Sequence, residues 1–322
     1  MRRILIPLIV VSLACSSITG INRSSDKPEG GKSGIVANDN FSLADPGLSL
    51  AELGAFEATF KVTFMGAYDW SYTLVTRSDG QAMEYQLHIA GVSGEQNPGD
   101  VRLVSDNGIN RMRGPGTDDV CVQFPDSFDS GVLFLTPANF VFLEGLTEAP
   151  ASAGTENIAG LETNAFEVEQ KALDAWENIK ISYWEDAASG ATLRYDFSAE
   201  GPDPVYDAGN GSIVGHFEVN AIGAQTIKPI EDCELGLPVP DNVRQLLKLP
   251  GLISFEVSIT PEQVRDYYHS ALLDAGWQRA TLPQTSPTGD VVVTYLNATE
   301  KLQLNIEKLD TGSKVEIYTT ER

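Results

Sequence analysis

The chain has 322 residues, room for two domains of ordinary size, and a formal net charge of −23 from 45 acidic against 22 basic side chains. So acidic a surface repels phosphate backbones and anionic headgroups. That excludes nucleic acid as a partner and a basic patch as a means of membrane attachment.

The first segment is a leader. Met1-Arg2-Arg3 is positive, and Ile4 to Ala14 is apolar and uncharged. That run is shorter than the roughly 20 residues that span a bilayer, and it matches the n- and h-regions of a signal peptide over 1–14. It ends in Val11-Ser12-Leu13-Ala14-Cys15, which resembles the lipobox of bacterial lipoproteins, with Ser12 where the usual leucine would stand. The resemblance implies a diacylglycerol on the sulfur of Cys15 and cleavage before it, so the partner at this end is a membrane held through acyl chains. Residues 15–48 are rich in Ser, Gly, Asn and Asp and read as a flexible tether. A short helix is expected near Ser49 to Leu53.

A strand-rich domain is expected over 49–235. Phe56, Ala58, Phe60, Val62 and Phe64 alternate with Glu57, Thr59, Lys61 and Thr63, a period of two that turns the aromatics to one face. Trp70, Tyr72 and Leu74 repeat the pattern, as do Met83, Tyr85, Leu87 and Ile89 after the hairpin signal Ser78-Asp79-Gly80. Further strands are expected at 101–104, 107–111, 120–124, 165–169, 179–183, 191–197 and 215–220. Short consecutive strands with tight turns indicate an antiparallel meander. Thr136-Pro137 opens a short apolar helix running through Phe140 to Leu143, which has to be covered and so is expected against the concave side of the sheet.

The grammar changes at Pro238-Val239-Pro240, and a small domain is expected over 236–322. A strand at Phe255, Val257 and Ile259 leads to Thr260-Pro261-Glu262-Gln263, which carries an N-cap, a proline and a capping-box Gln. Val264, Tyr267, Tyr268, Ala271 and Leu272 follow at helical spacing, and Gly276 stops the helix. Strands at 291–296, 302–306 and 314–318 complete a β-α-β-β-β unit. The fold class is therefore α+β, mostly β.

Leaving Cys15 aside, Cys121 and Cys233 remain, and in an exported protein the pair is expected to be joined, the alternative being two buried thiols. No catalytic residue, metal site or cofactor emerges. His88, His216 and His269 have no companion at ligand spacing, there is no His-Glu-x-x-His or Cys-x-x-Cys, and Gly91-Val92-Ser93-Gly94 is not a nucleophile elbow. The loop with Asp203, Asp207 and Asn210 could take calcium on charge grounds alone, which is too little to assign a metal.

Residues Phe56 to about Pro229 resemble the half-barrel lipid carriers of the LolA, LppX and LprG kind. The likeness rests on the opening strand 58–64, on the run from Gly154 to Val168, and on Gly215-His216-Phe217-Glu218-Val219 leading to Ile227-Lys228-Pro229. It implies a curved antiparallel half-barrel sheet wrapping a short helix, with an apolar cavity for acyl chains. Against that pattern, 173–178 and 202–211 read as insertions. The C-terminal segment is similar to a small module of uncharacterised bacterial lipoproteins, which implies no activity. Two roles follow from the resemblance and the alternation. Phe60, Phe64, Trp70, Tyr72, Tyr85 and Phe140 line a lipid-binding cavity, or the same rings form the core of an extracytoplasmic structural or sensory protein with an envelope partner.

Overall fold

The computed structural model describes Leu50 and residues 53–91, 99–114, 121–125, 127–128, 133–135, 137–140, 148–206, 209–231, 233 and 237–322. The segments expected to be a signal peptide and a tether, with Cys15, lie outside the described residues, as does most of the short helix expected near residue 50. The described chain is mostly antiparallel strand with one α-helix.

By its contacts the chain divides into two compact units, and the division falls at more than one place. The first unit takes the described residues up to Arg102 and those from 133 to 228. The second takes 103–113, 121–128 and the described residues from Pro229 onward.

The first unit is an open, curved sheet built on β1 (Ala55–Met65), β2 (Trp70–Asp79), β3 (Met83–Ala90), β7 (Ala151–Ile158), β8 (Leu161–Leu173), β9 (Trp176–Asp186), β10 (Thr192–Pro202) and β11 (Asn210–Ile222). Intervening strands are β4 (Gly99–Asp106), β5 (Ile109–Arg113) and β6 (Cys121–Phe124). The registers give the order β3-β2-β1-β11-β10-β9-β8-β7, every pair antiparallel. Bulges interrupt the ladder at Glu57/Ala58, Ser152/Gly154, Thr192/Arg194 and Ser198/Glu200. Each adds twist and bends its strand, so the sheet curves rather than lying flat. The alternation expected for 56–64 is what β1 shows, with Phe56, Ala58, Phe60, Val62 and Phe64 buried and their neighbours more open.

Several segments differ from the sequence expectation. Residues 173–178, read as an insertion, form the tip of a long hairpin in which β8 and β9 pair up to Leu173 and Trp176 and the chain reverses at Asp174, with φ 51°. β7 is a strand that the sequence does not announce, because its Ala-Ser-Ala-Gly-Thr-Glu-Asn run is small, polar and exposed along seven of eight positions. Of the helix expected over 136–143, the described part is Pro137–Phe140, a 3-10 turn that begins on its proline, and the rest lies outside the described residues.

The second unit has β12 (Arg244–Leu249), β13 (Leu252–Val257), helix α1 (Pro261–Asp274), β14 (Gln278–Arg279), β15 (Gln284–Thr285), β16 (Val291–Leu296), β17 (Glu300–Leu309) and β18 (Gly312–Glu321). The order is β5-β6-β12-β13-β18-β17-β16, with β14 and β15 pairing on β16. Thr260 caps α1 and makes the full capping box with Gln263. Val264, Tyr268 and Leu272 fall on one side of the helix and bury against Phe255, Val257, Val293, Tyr295, Leu304 and Val315. In this unit β13, α1, β16, β17 and β18 follow the expected order, the short β14 and β15 are inserted after the helix, and β12 is added before β13, its Arg-Gln-Leu-Leu-Lys-Leu run not alternating. A register shift after Arg244, with Gln245 at φ 53°, explains why.

Candidate functional site

The six rings named from sequence all lie in the first unit and are all buried, between 0 and 4 % exposed. β1, β2 and β3 present five of them on one face, because each is an inward position of a period-two strand. The sixth, Phe140, ends the 3-10 turn. They meet one another and rings the sequence did not single out. Phe60 contacts Tyr72 at 6.3 Å and Phe140 at 6.0 Å, Phe64 stacks on Trp70 at 5.9 Å, and Tyr85 stacks on Phe134 at 5.0 Å.

Phe197 is the main partner missed. It stacks on Phe140 at 5.5 Å and 15°, and it can do so because Gly215 lies opposite it on β11. A Cβ at Gly215 would fall 1.9 Å from the Phe197 ring, so only glycine leaves space for that ring to lie across the strand. The Tyr195 hydroxyl donates to the Phe140 carbonyl at 3.2 Å and ties the turn to the sheet. Burial pushes the Tyr72 phenol far above its ordinary value and the Tyr183 phenol up to about 12, so both are neutral donors at any physiological pH.

One end of this face carries a buried acid. Asp203, 5 % exposed, accepts from the Trp70 indole at 3.2 Å and from the backbone N–H groups of Val205 at 2.9 Å and Tyr206 at 3.1 Å, all on Oδ1. The last two bonds form an Asx turn, the reason an Asp opens this loop after Pro202. The Tyr206 ring stands edge-on to Trp70 at 6.3 Å.

The outer face of the same unit is polar and tied together. Arg194 sits 5.0 Å over the Trp184 ring, pairs with Glu218 through two nitrogens, and reaches Glu156 on β7 at 3.0 Å. His216 lies 2.5 Å from Asp196 across the β10–β11 pair, a partner its sequence spacing hid, and 3.4 Å from Glu218 two residues along its own strand. Glu84, buried on the same face, accepts from Arg77 at 3.0 Å and from Arg102. Asp196 reaches His216, and Arg77 reaches Glu84, from the neighbouring strand, beyond the reach of local sequence patterns. His269 lies 3.4 Å from the Tyr295 hydroxyl. Among the described residues no group of three or more His, Cys, Asp or Glu is placed to hold a metal ion.

Cys121 on β6 and Cys233 form a disulfide with a Cα–Cα distance of 5.4 Å, closing 112 residues of sequence. Both cysteines are buried, and the Lys248 ammonium donates to the Cys233 carbonyl at 3.5 Å. The Arg111 guanidinium donates to the Ile230 carbonyl at 3.3 Å. The segment before Cys233 is thus pinned to β5 and β6 by both a covalent and a charged contact. Among the described residues no helix is long and apolar enough to cross a membrane.

No family model matches the chain, and no curated protein matches it. Two solved structures of Pseudomonas aeruginosa MucB, one as the MucA/MucB complex and one with MucA(peri), are similar at 12 % and 13 % identity. Each similarity covers 84 % of this chain and 90 % of the other, at TM-scores of 0.24 and 0.23. Scores of that size support no inference about the fold or function of this chain.

Proposed function

We propose that this chain is a non-catalytic lipoprotein of the bacterial cell envelope, held to a membrane by acyl chains on Cys15, that works through contacts with an envelope protein. The observation that carries this reading is the ring-on-ring packing of Phe60, Phe64, Trp70, Tyr72, Tyr85 and Phe140. Rings packed against one another at centroid separations of 5.0–6.3 Å support the reading of these side chains as core. The Cys121–Cys233 bond fits an oxidising compartment outside the cytoplasm. Among the exposed apolar side chains, Met65 and Val214 are diagonal neighbours across β1 and β11, each about half exposed, with Tyr68 in the adjoining turn, a small patch that a partner could cover.

Native mass spectrometry without detergent, together with uptake of a fluorescent fatty acid, tests the reading. No co-purifying lipid and no uptake are expected, while a photocrosslinker at Tyr68 captures an envelope protein in cells. Stoichiometric lipid would overturn it. The mass of the mature N-terminus tests the anchor separately.

A second reading, carriage of a lipid, has one observation in its favour. Phe140 of the 3-10 turn meets Phe60 and Phe197, and Phe134 meets Tyr85, so the inward rings of the sheet are covered by side chains from outside it. On that reading the turn lifts, and the exposed rings hold an acyl chain at about 25 cal/mol per Å² buried.

A further inference from the structure

Resting on the protein-contact reading above, we propose that the open edge of β7 takes up an extended, basic segment of another protein, which joins the first sheet as one more strand. The outer strands of the two units differ. In the second unit β16 is covered by the short strands β14 and β15. In the first unit β7 ends the order, and among the described residues β8 is the strand that pairs with it. β7 is exposed at seven of its eight positions, on both faces.

The register shows which main-chain groups are open. Ile158 pairs with Leu161 across the two-residue turn Ala159-Gly160, whose φ values are 49° and 90°. Residues flanking such a turn exchange both hydrogen bonds, and the pattern then alternates along the antiparallel pair. Ile158, Glu156 and Gly154 therefore turn their N–H and C=O groups to β8, and the Thr163 hydroxyl also donates to the Glu156 carbonyl at 2.9 Å. Thr155 and Asn157 turn theirs to the uncovered side. Edge strands are commonly blunted by lysine or proline, and β7 has neither. Its bulge lies at Ser152/Gly154, which leaves Gly154 to Ile158 in regular register and free to accept a strand.

Charge names the occupant. Between residues 148 and 171 five acids, Glu148, Glu156, Glu162, Glu167 and Glu169, stand against one base, Lys171, and all five are exposed. Arg194 meets Glu156 and Lys180 meets Glu169, while Glu162 and Glu167 lie outside these pairs. An added strand would run about 10 Å from β8, a gap that Lys or Arg on one side and Glu on the other close between them. A second copy of this chain would instead bring the same acids together, with a net charge of −23 on each partner.

The test titrates the folded, oxidised protein with a synthetic peptide that alternates Lys with Thr and Val, and with its Glu counterpart, following amide exchange by NMR. The basic peptide should protect the Thr155 and Asn157 amides, less so as salt is raised, and the Glu peptide should leave them unchanged. Thr155→Pro removes an outward N–H without touching the ladder to β8, and it should weaken binding about tenfold. If that variant does not fold, the Lys peptide N-methylated throughout decides. It keeps every charge and loses its N–H groups, so it should bind about tenfold more weakly. No protection at Thr155 and Asn157 overturns the proposal. So does equal binding of the Lys and Glu peptides, or of the methylated and unmethylated ones. A dimer of the native protein that Thr155→Pro dissolves also overturns it, because the edge then belongs to a second copy. Each of these failures leaves the protein-contact reading standing while the protein holds no lipid and the Tyr68 crosslink forms. Stoichiometric lipid ends that reading whatever the edge does.

Discussion

The two units solve one problem in different ways. Each has a sheet with one apolar face, and that face has to be covered. In the second unit the cover is α1, fourteen residues with a complete capping box, a proline in its first turn, and Val264, Tyr268 and Leu272 in one stripe. In the first unit the described cover over Phe60, Tyr85 and Phe197 is a 3-10 turn and a few residues beside it, and the fit comes from ring stacking and from the space that Gly215 leaves. A capped helix with its own hydrogen bonds is a cover that holds itself in shape. A short turn depends on the rings beneath it. The first kind serves stability, and the second is the face that the lipid-carriage reading would use.

The largest effects should separate the two covers. Tyr268→Ala removes a fully buried ring and leaves the Pro238 carbonyl without the hydroxyl that donates to it at 2.9 Å. A loss of about 4–5 kcal/mol is expected, enough to melt the second unit on its own. Phe140→Ala should cost about 3 kcal/mol if the turn is core. Chemical denaturation followed by Trp fluorescence measures both. If Phe140→Ala costs under about 1 kcal/mol and the variant takes up fatty acid, the turn is a lid and the carrier reading replaces the one proposed here.

Next comes the staple. Reducing Cys121–Cys233, or replacing both cysteines with serine, should lower stability by about 2–5 kcal/mol, because the bond closes a long loop of the unfolded chain. Melting with and without reductant measures it. The loss should appear in the transition of the second unit, which contains both cysteines. A loss confined to the first unit would show that the division by contacts does not describe how the molecule unfolds.

The capped helix and the strands around it were readable from sequence because their determinants are local. Thr260-Pro261-Glu262-Gln263 fixes a start, the spacing of Val264, Tyr268 and Leu272 fixes a face, and β16 begins and ends where Val291 to Leu296 alternate. β1 was legible for the same reason. β7 and β12 were not, since one is exposed on nearly every residue and the other is broken by a bulge, and neither leaves a period to detect. The aromatic site was legible as a set of rings, yet its closing partners Phe134 and Phe197 come from distant parts of the chain. Asp203 stood out in the sequence only as one acidic residue of a loop with Asp207 and Asn210. Its bond to the Trp70 indole, 133 residues away, is encoded by no local pattern.

A smaller effect tests whether α1 does hold itself in shape. Thr260→Ala removes the side-chain acceptor for the Gln263 N–H, at a cost of about 1 kcal/mol. Thr260→Ser should restore most of it. Hydrogen exchange in the first turn of α1 reports the change directly. Equal protection in all three proteins would mean that tertiary packing alone fixes the helix.

The smallest effect lies on the outer face of the first unit and depends on pH. The bond to Asp196 raises the His216 pKa above its ordinary value, opposed by burial and by Arg194 and helped by Glu218. A raised value means that the folded state binds the proton more tightly than the unfolded chain does. The stabilising contribution is therefore fully present below the ordinary imidazole value of about 6.5, and it disappears as pH rises through the higher folded value. His216→Gln should accordingly melt below the native protein in mildly acidic buffer and match it in mildly alkaline buffer. The difference will be small, because His216 and Asp196 are 46 % and 40 % exposed and water screens the pair. A gap that widened with pH would mean that the neutral imidazole is the form this face prefers, with Arg194 rather than Asp196 governing the charge of His216.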